Sequence, residues 1–507
     1  MPSVHIKVNG SWRTLNSSEG TPVLDVLRGE LGLHSTKEGC REGDCGACAV
    51  LVGERMGDTV RYRAMPSCLL ATGELREKHL LSLEGLVEGA DGGLTPVMRA
   101  FLEENASQCG FCTPGFIIAL TSWLAEPRIP DLAGALRAVD GNLCRCTGYA
   151  AIRRAAARLA KEFARLPLDP RERLRALVDA HVLPRSVAEY GDASIDAGAA
   201  SGSGADVSGE AATGGAFIVG GGTDFYVRNP EPEEGFAPFI TRMAPEFSRI
   251  REKSEGGQAW LDIGAAVSVS DFFASPEVQR AVPGIERFET TFASTLIRNL
   301  ATVGGNIVNA SPVADITSML LALRARLAIV QRGHALPGTA LERAPSRIVP
   351  LENFFLGYKK LDLKPGEVLA GIRIPLGGEA ETARRFSFEK ASKRKNLDIA
   401  AVNTAISFRL AEGRFIDVGV SLGGVAPVPM LCLLAMQALE GQICDPSNAR
   451  RLAELAREAA RAARDAVDPI GDVRGSAEYR RRMVHQLMLA HFVRLFESSG
   501  IAEELFP

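Results

Sequence analysis

The sequence predicts a multidomain α+β protein, and three observations support this fold class. Its 507 residues are enough for three or four domains of about 100–200 residues each. Val4, Ile6 and Val8 alternate with polar residues as in a β-strand, so the first domain is predicted to be β-rich. Four helical segments follow between about 86 and 165, and the chain from about 384 onward contains strands and then helices at 448–466 and 477–497.

The composition is that of an ordinary globular protein, with 46% hydrophobic and 23% charged residues. Because 58 Lys and Arg stand against 61 Asp and Glu, the net charge is −3, and we expect neither a nucleic-acid nor a membrane partner. We expect a cytoplasmic location, since the sequence shows neither a membrane-length apolar run nor a secretory signal pattern. Cysteines in a reducing compartment indicate metal or redox chemistry rather than disulfides. Two of the ten, Cys432 and Cys444, are interpreted as core thiols.

Four cysteines near the beginning of the chain have the spacing of a plant-type iron–sulfur site. Cys40, Cys45 and Cys48 form a C-x4-C-x2-C pattern, and Cys68 follows at a distance. Glycines in this loop permit the dihedral angles with which a chain wraps around a cluster. A structural zinc site and buried free thiols are the alternatives, but zinc sites usually have C-x2-C pairs at both ends. We therefore predict that these four cysteines bind a [2Fe–2S] cluster.

A second group of four cysteines predicts a second [2Fe–2S] cluster. Cys109 and Cys112 form a C-x2-C pair, and Cys144 and Cys146 form a C-x-C pair. This spacing alone is also compatible with zinc. The following residues, 113–124, predict an apolar helix that starts with a Thr cap and a Pro. The partial positive charge at such a helix N-terminus favours thiolates and an anionic cluster.

Glycine-rich turns in the middle of the chain predict a phosphate-bearing cofactor. Residues 217–219 are predicted to form a buried strand that enters the turn 220–223, and a second turn lies at 302–306. Backbone N–H groups at such turns bind phosphate, although the third glycine of the dinucleotide-binding motif is missing, because residue 225 is Phe. The turns alone are weak evidence. Two iron–sulfur sites transfer single electrons, however, and a flavin converts these into a two-electron step, so we predict FAD.

A compositionally biased segment precedes the first glycine turn. Residues 192–215 are rich in Ala, Gly, Ser and Asp and contain no aromatic residue, Lys or Arg. Such a segment buries too little apolar surface to become ordered, so we predict a disordered insertion.

Six motifs resemble those of the xanthine dehydrogenase, or molybdenum hydroxylase, family, and in particular its separate small subunits that carry iron–sulfur and FAD domains. The motifs of the cysteine-rich part are EGCREGDCGAC at 38–48, QCGFCTPG at 108–115 and GNLCRCTGY at 141–149. The motifs of the glycine-rich part are GGTD at 221–224, RNLATVGGN at 298–306 and FLGYKK at 355–360. The resemblance covers nearly the whole chain except 192–215.

This resemblance implies four domains. They are a β-grasp [2Fe–2S] ferredoxin domain of plant type at 1–86, an α-helical [2Fe–2S] domain at 87–165, an α+β FAD-binding domain of the vanillyl-alcohol-oxidase (PCMH) type at 181–378, and an α+β domain like the C-terminal domain of carbon monoxide dehydrogenase flavoproteins at 384–495. A linker at 166–180 would join the second and third domains.

The resemblance also implies contacts with cofactors. Phe292 matches an aromatic residue beside the isoalloxazine ring, Tyr358 matches a position near the nicotinamide site, and Gln108 and Cys146 match positions that face the pterin of a molybdenum cofactor. The residues that match FAD-contacting positions are Ile218, Val219, Gly220, Gly221, Gly222, Thr223, Asp224, Phe225, Phe292, Ala293, Thr302, Gly305, Asn306, Val308, Asn309 and Asp315.

The function implied by the resemblance is electron transfer within an oxidoreductase. Electrons would pass from a molybdenum cofactor on a partner chain through the helical-domain cluster, the ferredoxin cluster and FAD to NAD⁺, while the partner oxidises hypoxanthine or xanthine to urate. No counterpart of the molybdenum domain is found in the sequence, so the family implies a large partner subunit, a heterotetramer of two small and two large chains, and no catalytic residue in this chain. The alternatives are a related enzyme acting on another N-heterocycle, an aldehyde or CO, and a freestanding iron–sulfur flavoprotein.

Overall fold

The computed structural model describes residues 4–87, 93–192, 217–331, 347–377, 383–394 and 397–507. The chain forms two compact units. The first comprises residues 1–243 and 293–301, and the second comprises residues 244–292 and 302–507. Of the predicted insertion 192–215, only Asp192 lies within the described residues, where it ends the helix Arg185–Asp192.

The first unit begins with a five-stranded mixed sheet. Val4–Val8 pairs antiparallel with Ser11–Leu15 across a turn in which Asn9 and Gly10 have φ of 47° and 89°, as a two-residue hairpin requires. Val4–Val8 also pairs in parallel with the later strand His79–Leu81. The strands, in their order across the sheet, are Ser11–Leu15, Val4–Val8, His79–Leu81, Ala49–Met56 and Thr59–Pro66. This topology confirms the predicted β-grasp fold.

Four helices follow the sheet and confirm the predicted helical segments. They are Pro96–Glu103, Thr113–Ala125, Leu132–Ala138 and Ala150–Glu162. Thr113–Ala125 is buried on all sides, from Pro114 to Leu124, as expected of a helix at the centre of a core. The predicted Thr cap is wrong, because Cys112 occupies the N-cap position and Thr113 is already helical. Since Pro is accepted throughout the first turn, Pro114 did not fix where the helix begins.

The segment 166–180, predicted as a linker, contains a helix. Pro170–Asp179 starts at Asp169, whose carboxylate accepts the N–H groups of the first turn at 3.0 Å. Leu174 and Leu177 are buried in the core that the helical domain forms with the sheet. The amphipathic pattern was missed because charged residues dominate this short helix and only two leucines anchor it. Further elements of the first unit include Val23–Asp25, continued by a π-helical turn at Val26–Glu30, and the short segments Thr72–Leu75, Leu83–Val87, Ile218–Val219, Phe225–Arg228, Phe239–Ile240, Thr241–Met243 and Thr295–Leu300.

The second unit contains two main sheets. The strands of the first sheet, in order, are Arg347–Pro350, Arg326–Gln331, Glu367–Pro375, Gln258–Gly264 and Ile250–Glu255. The strands of the second sheet, in order, are Arg385–Ala391, Val402–Ala411, Arg414–Gly423 and Met430–Leu431. A two-stranded hairpin joins Phe355–Gly357 to Lys360–Leu361. The helices are Val269–Ala274, Pro276–Ala281, Val303–Val308, Asp315–Ala322, Leu433–Leu439, Ala449–Asp465, Ala477–Leu495 and Ile501–Leu505.

The end of the chain packs as the sequence predicts. The helices Ala449–Asp465 and Ala477–Leu495 share one hydrophobic core with the strands of the second sheet. Cys432 and Cys444 are buried within this core. Within the described ranges, no helix combines the length and the apolar composition needed to cross a membrane.

Candidate cofactor sites

The first group of cysteines comes together in pairs. The Sγ atoms of Cys48 and Cys68 lie 3.3 Å apart, and the thiols of Cys40 and Cys45 are neighbours. A separation of 3.3 Å excludes a disulfide, whose sulfurs lie about 2.05 Å apart. Two thiolates on one tetrahedral ion with metal–sulfur bonds of about 2.3 Å would lie about 3.8 Å apart. The observed distance is therefore close to that of two ligands on one metal ion.

The loop around Cys40 favours negative charge on sulfur. The N–H of Glu42 lies 3.3 Å from Cys40 Sγ. The hydrogen bond from Cys45 lowers the pKa of Cys40 to about 5, and the N–H groups of Glu42, Asp44 and Cys45 contribute against the opposing effect of burial. The left-handed conformation of Gly43, with φ of 76°, makes this tight loop possible.

The second group of cysteines also forms two pairs. The Sγ atoms of Cys109 and Cys146 lie 3.5 Å apart, and the thiols of Cys112 and Cys144 are neighbours. Cys112 lies at the N-cap of Thr113–Ala125. Cys109 and Cys146 are exposed, whereas Cys144 is buried.

The pairing fits the donor set of two [2Fe–2S] clusters. No three His, Cys, Asp or Glu side chains within the described ranges are arranged to hold a single metal ion. The cysteines instead approach two by two, and a [2Fe–2S] cluster takes two protein ligands on each iron. The assignment of individual ligands stays a prediction.

The first predicted FAD segment lies in the first unit. The strand Ile218–Val219 pairs in parallel with Phe239–Ile240 and leads into the glycine turn. A Cβ at Gly221 would overlap the carbonyl oxygen of Leu300, and Gly222 has φ of 70°. Both positions therefore require glycine.

The predicted burial of this strand is wrong in part. Val219 is buried, but Ile218 is 42% exposed and Phe217 is 63% exposed. Successive side chains of a strand point to opposite faces, and in this two-residue strand only the face of Val219 is covered. Phe217 contacts the rings of Phe225 and Phe236 at centroid distances of 5.9 Å.

The second predicted FAD segment lies in the second unit and is held by side-chain hydrogen bonds. Thr302 caps the helix Val303–Val308 by accepting the N–H of Gly305 at 2.9 Å. A Cβ at Gly305 would lie 2.8 Å from the same oxygen. Asn306 accepts both the N–H and the hydroxyl of Thr317 at 3.0 Å. The oxygen of the Asn306 side chain therefore ties this segment to the next helix.

Asp315 is buried in a polar cluster that the sequence did not reveal. Its carboxylate accepts hydrogen bonds from Lys390 Nζ and Asn403 Nδ2, each at 2.7 Å. Burial raises the pKa of Asp315, and the charge of Lys390 opposes this shift. Lys390 also donates to the carbonyl of Thr291 at 2.9 Å. Lys390 thus links Asp315 to Thr291, the residue before Phe292. Asp315 and Phe292 are both predicted FAD contacts.

Tyr358 lies on the hairpin of the second unit and is exposed. The next residue, Lys359, has φ of 57° and donates from Nζ to Asn309 Oδ1 at 2.7 Å and to the carbonyl of Asn309. The hairpin that presents the predicted nicotinamide contact is therefore tied to a predicted FAD contact.

The residues of both segments fit a flavin. In each segment a partly exposed glycine, Gly220 or Gly305, lies near an exposed apolar side chain, Ile218 in the first unit and Val308 in the second. A flavin has both an apolar ring system and a pyrophosphate, and ligand sites pair apolar walls with a few polar groups. The individual FAD contacts stay predictions.

Comparison with known proteins identifies the domains in order. The chain matches family models of a 2Fe-2S iron-sulfur cluster binding domain at 6–71, a [2Fe-2S] binding domain at 82–157, the FAD binding domain in molybdopterin dehydrogenase at 207–377 and the CO dehydrogenase flavoprotein C-terminal domain at 387–495.

Curated relatives match nearly the whole chain. A xanthine dehydrogenase of Drosophila pseudoobscura pseudoobscura is 28% identical over 99% of this chain and 40% of its own length. A xanthine dehydrogenase/oxidase of Rattus norvegicus is 26% identical over 96% of this chain and 38% of its own length. The chain thus spans about two fifths of the length of these relatives.

Similar solved structures include a carbon monoxide dehydrogenase from Hydrogenophaga pseudoflava, with a TM-score of 0.46 and 24% identity over 56% of this chain and 91% of that chain. Quinoline 2-oxidoreductase from Pseudomonas putida 86 has a TM-score of 0.45 and 23% identity over 58% of this chain and 93% of that chain. The four matched domains, in their order, establish the cofactors as two [2Fe–2S] clusters and FAD. This set of domains is that of the iron–sulfur and FAD-binding part of the molybdenum hydroxylase family.

Proposed function

We propose that this chain is the electron-transfer subunit of a xanthine dehydrogenase. Electrons from a molybdenum cofactor on a large partner chain would pass through the two clusters and FAD to NAD⁺. The observation that carries this proposal is the fusion of both iron–sulfur domains and the FAD domain in one chain that aligns with xanthine dehydrogenases over 99% and 96% of its length. In this proposal the molybdenum chemistry resides on a partner chain.

The pairing of sulfurs supports a specific ligand arrangement in each cluster. In this arrangement each pair of neighbouring thiols would bind one iron. The pairs are Cys40 with Cys45 and Cys48 with Cys68 in the ferredoxin domain, and Cys109 with Cys146 and Cys112 with Cys144 in the helical domain.

The chemistry supplied by the bound groups is one-electron transfer by each cluster and two-electron transfer by FAD. The chain contributes position and electrostatics. Backbone N–H groups favour thiolate at Cys40, and the partly exposed backbone of Gly220 and Gly305 would approach the flavin pyrophosphate.

The helical domain is the proposed face for the molybdenum subunit. Its Cys109 and Cys146 are exposed, and exposed aromatic rings of Phe111 and Tyr149 lie beside them in the sequence. Exposed apolar groups at a surface favour burial against a partner. Gln108 is exposed next to Cys109, and its amide offers the donor and the acceptor that a pterin edge requires.

The hairpin of the second unit is the proposed entry for NAD⁺. Tyr358 presents an open aromatic ring, while Lys359 fixes the hairpin to Asn309. An exposed ring next to a predicted flavin contact suits a nicotinamide, which must stack close to the flavin for hydride transfer.

The test compares the isolated chain with the complex. The isolated chain should contain iron and FAD, oxidise NADH with an artificial acceptor, and show no xanthine oxidation. Affinity purification of the tagged chain should recover a larger molybdenum-containing chain, and this complex should reduce NAD⁺ with xanthine. A complex that oxidises an aldehyde, CO or another N-heterocycle but not xanthine would refute the substrate assignment, and the absence of any molybdenum partner would favour the freestanding redox protein.

A further inference from the structure

The two cysteine loops contact each other within the first unit. The N–H of Leu143 donates to the carbonyl of Cys45 at 3.0 Å. One residue earlier, the side-chain amide of Asn142 donates to the carbonyl of Gly46 at 3.2 Å. A predicted ligand of the first cluster, Cys45, is therefore one hydrogen bond away from the residue that precedes Cys144, a predicted ligand of the second cluster.

Glycine residues make this contact possible. Gly46 has φ of 67°, and a Cβ at this position would lie 2.5 Å from the amide nitrogen of Asn142. A Cβ at Gly115, in the first turn of Thr113–Ala125, would overlap the carbonyl oxygen of Gly46. Any side chain at either glycine would push the loops apart.

Among the described residues, the buried side-chain oxygen of Asn142 has no hydrogen-bond donor at this contact, which reduces stability. Its side chain is 3% exposed, and its Oδ1 accepts no hydrogen bond from the part of the chain that the structure describes. Leaving a buried acceptor unsatisfied is unfavourable. A residue selected for stability alone would avoid this cost, so its amide at the meeting point of two ligand loops points to a role in function.

Resting on the proposed function, we propose that Asn142 is a positioning residue for electron transfer between the two clusters. It holds the loops together so that the hydrogen bond from Leu143 to Cys45 connects them. The connection runs along the backbone of Cys45, across this hydrogen bond, and through Leu143 into Cys144. With both clusters bound, this connection would carry one electron from the helical-domain cluster, which would be oxidised, to the ferredoxin cluster, which would be reduced. No bond breaks and no proton moves.

The test uses the full chain with both clusters and FAD. Leu143→Pro removes the N–H donor, whereas Leu143→Ala keeps it. The side chain of Leu143 is exposed, so neither substitution removes a buried apolar group. Asn142→Ala removes the amide, and Gly115→Ala introduces the overlapping Cβ. Flash photolysis with an external photoreductant should deliver electrons to the helical-domain cluster, whose predicted ligands Cys109 and Cys146 are exposed. Flavin reduction is then followed by absorbance. EPR of the fully reduced protein reports each cluster and the magnetic interaction between them.

We expect flavin reduction to be several-fold slower in Leu143→Pro and Asn142→Ala, with both cluster signals and the iron content retained, and unchanged in Leu143→Ala. In Gly115→Ala the magnetic interaction between the clusters should weaken. Wild-type rates in Leu143→Pro and Asn142→Ala with both clusters present would overturn the inference and leave the proposed function intact. Loss of a cluster signal in both variants would also overturn it, in favour of a purely structural role. A wild-type chain without iron–sulfur signals would instead refute the proposed function itself.

Discussion

Replacing Lys390 by Met should destabilise the second unit locally, because it leaves the Asp315 carboxylate without its buried counter-ion. Both side chains of this ion pair are less than a tenth exposed, and the two atoms lie 2.7 Å apart. Removing one member of a buried pair costs about 3–5 kcal/mol. Asn403 still donates to Asp315 at 2.7 Å, so we expect a cost at the lower end, about 3 kcal/mol.

The cost should depend on pH in a defined direction. Burial raises the pKa of Asp315 and Lys390 opposes this rise, so the pKa of Asp315 in Lys390→Met is higher still. The folded variant then binds a proton more strongly than the unfolded chain, whose Asp has a pKa of about 3.9. The loss of stability is therefore largest at alkaline pH and diminishes as pH falls through the raised pKa.

Hydrogen exchange measured by mass spectrometry over Asp315–Ala322 and Arg385–Ala391 is the appropriate assay, because a multidomain chain does not unfold in a single step. A loss of about 3 kcal/mol corresponds to exchange faster than in the wild-type chain by about a hundredfold. The double variant Lys390→Met with Asp315→Asn is the control, since it removes both charges and should regain most of the protection. If exchange is equally fast in the single and the double variant at both about pH 5.5 and about pH 8.5, the unpaired Asp315 charge is not what destabilises this region.

Three further variants test the cofactor assignments. Cys45→Ser should halve the iron content and remove one EPR signal, because a hydroxyl is a far poorer iron ligand than a thiolate. The control variant Cys432→Ser, in the C-terminal core, should retain both clusters, and loss of iron in this variant would contradict the assignment. Gly305→Val should lower the FAD content at unchanged iron content, because its Cβ would lie 2.8 Å from the oxygen that caps its own helix. The control Gly471→Val should retain FAD, because its added Cβ would meet atoms no closer than 3.6 Å. Normal flavin content in Gly305→Val would exclude this position as a contact. Gln108→Ala should keep both clusters, FAD and NADH oxidation by an artificial acceptor but slow xanthine-dependent NAD⁺ reduction in the complex, and unchanged turnover would exclude a role at the partner interface.

Local patterns account for what the sequence predicted well. The hairpin at Asn9 and Gly10 and the long helices near the end of the chain follow from neighbouring residues, and the structure contains them. The cysteine motifs are equally local, because three cysteines of the first group lie within 40–48 and the second group consists of two close pairs, at 109–112 and 144–146. The short helix Pro170–Asp179 was missed because only two of its leucines face the core, which is too weak a periodicity among so many charges.

Contacts between distant residues could not be predicted in this way. Lys390 and Asp315 are separated by 75 positions, and nothing in the strand pattern around Lys390 distinguishes it from an exposed lysine. Asn142 lies inside a motif that the sequence did reveal, but its role depends on the carbonyl of Gly46, 96 positions away. The contacts of both residues form only when the fold brings their distant partners close to them.

Contacts between distant residues also hold the segment 293–301 in the first unit. Arg298 is buried, and its guanidinium binds Asp140 at 3.0 Å, directly before the second cysteine loop. A Cβ at Gly141 would lie 2.6 Å from the side chain of Ser294, so this glycine also permits close approach. The segment that carries the predicted FAD contact Ala293 is thus fixed to the loop that carries two predicted cluster ligands. Since electron transfer requires carriers at short and constant separation, a buried ion pair and bare backbone serve this need better than flexible exposed contacts, whose side chains keep their conformational freedom.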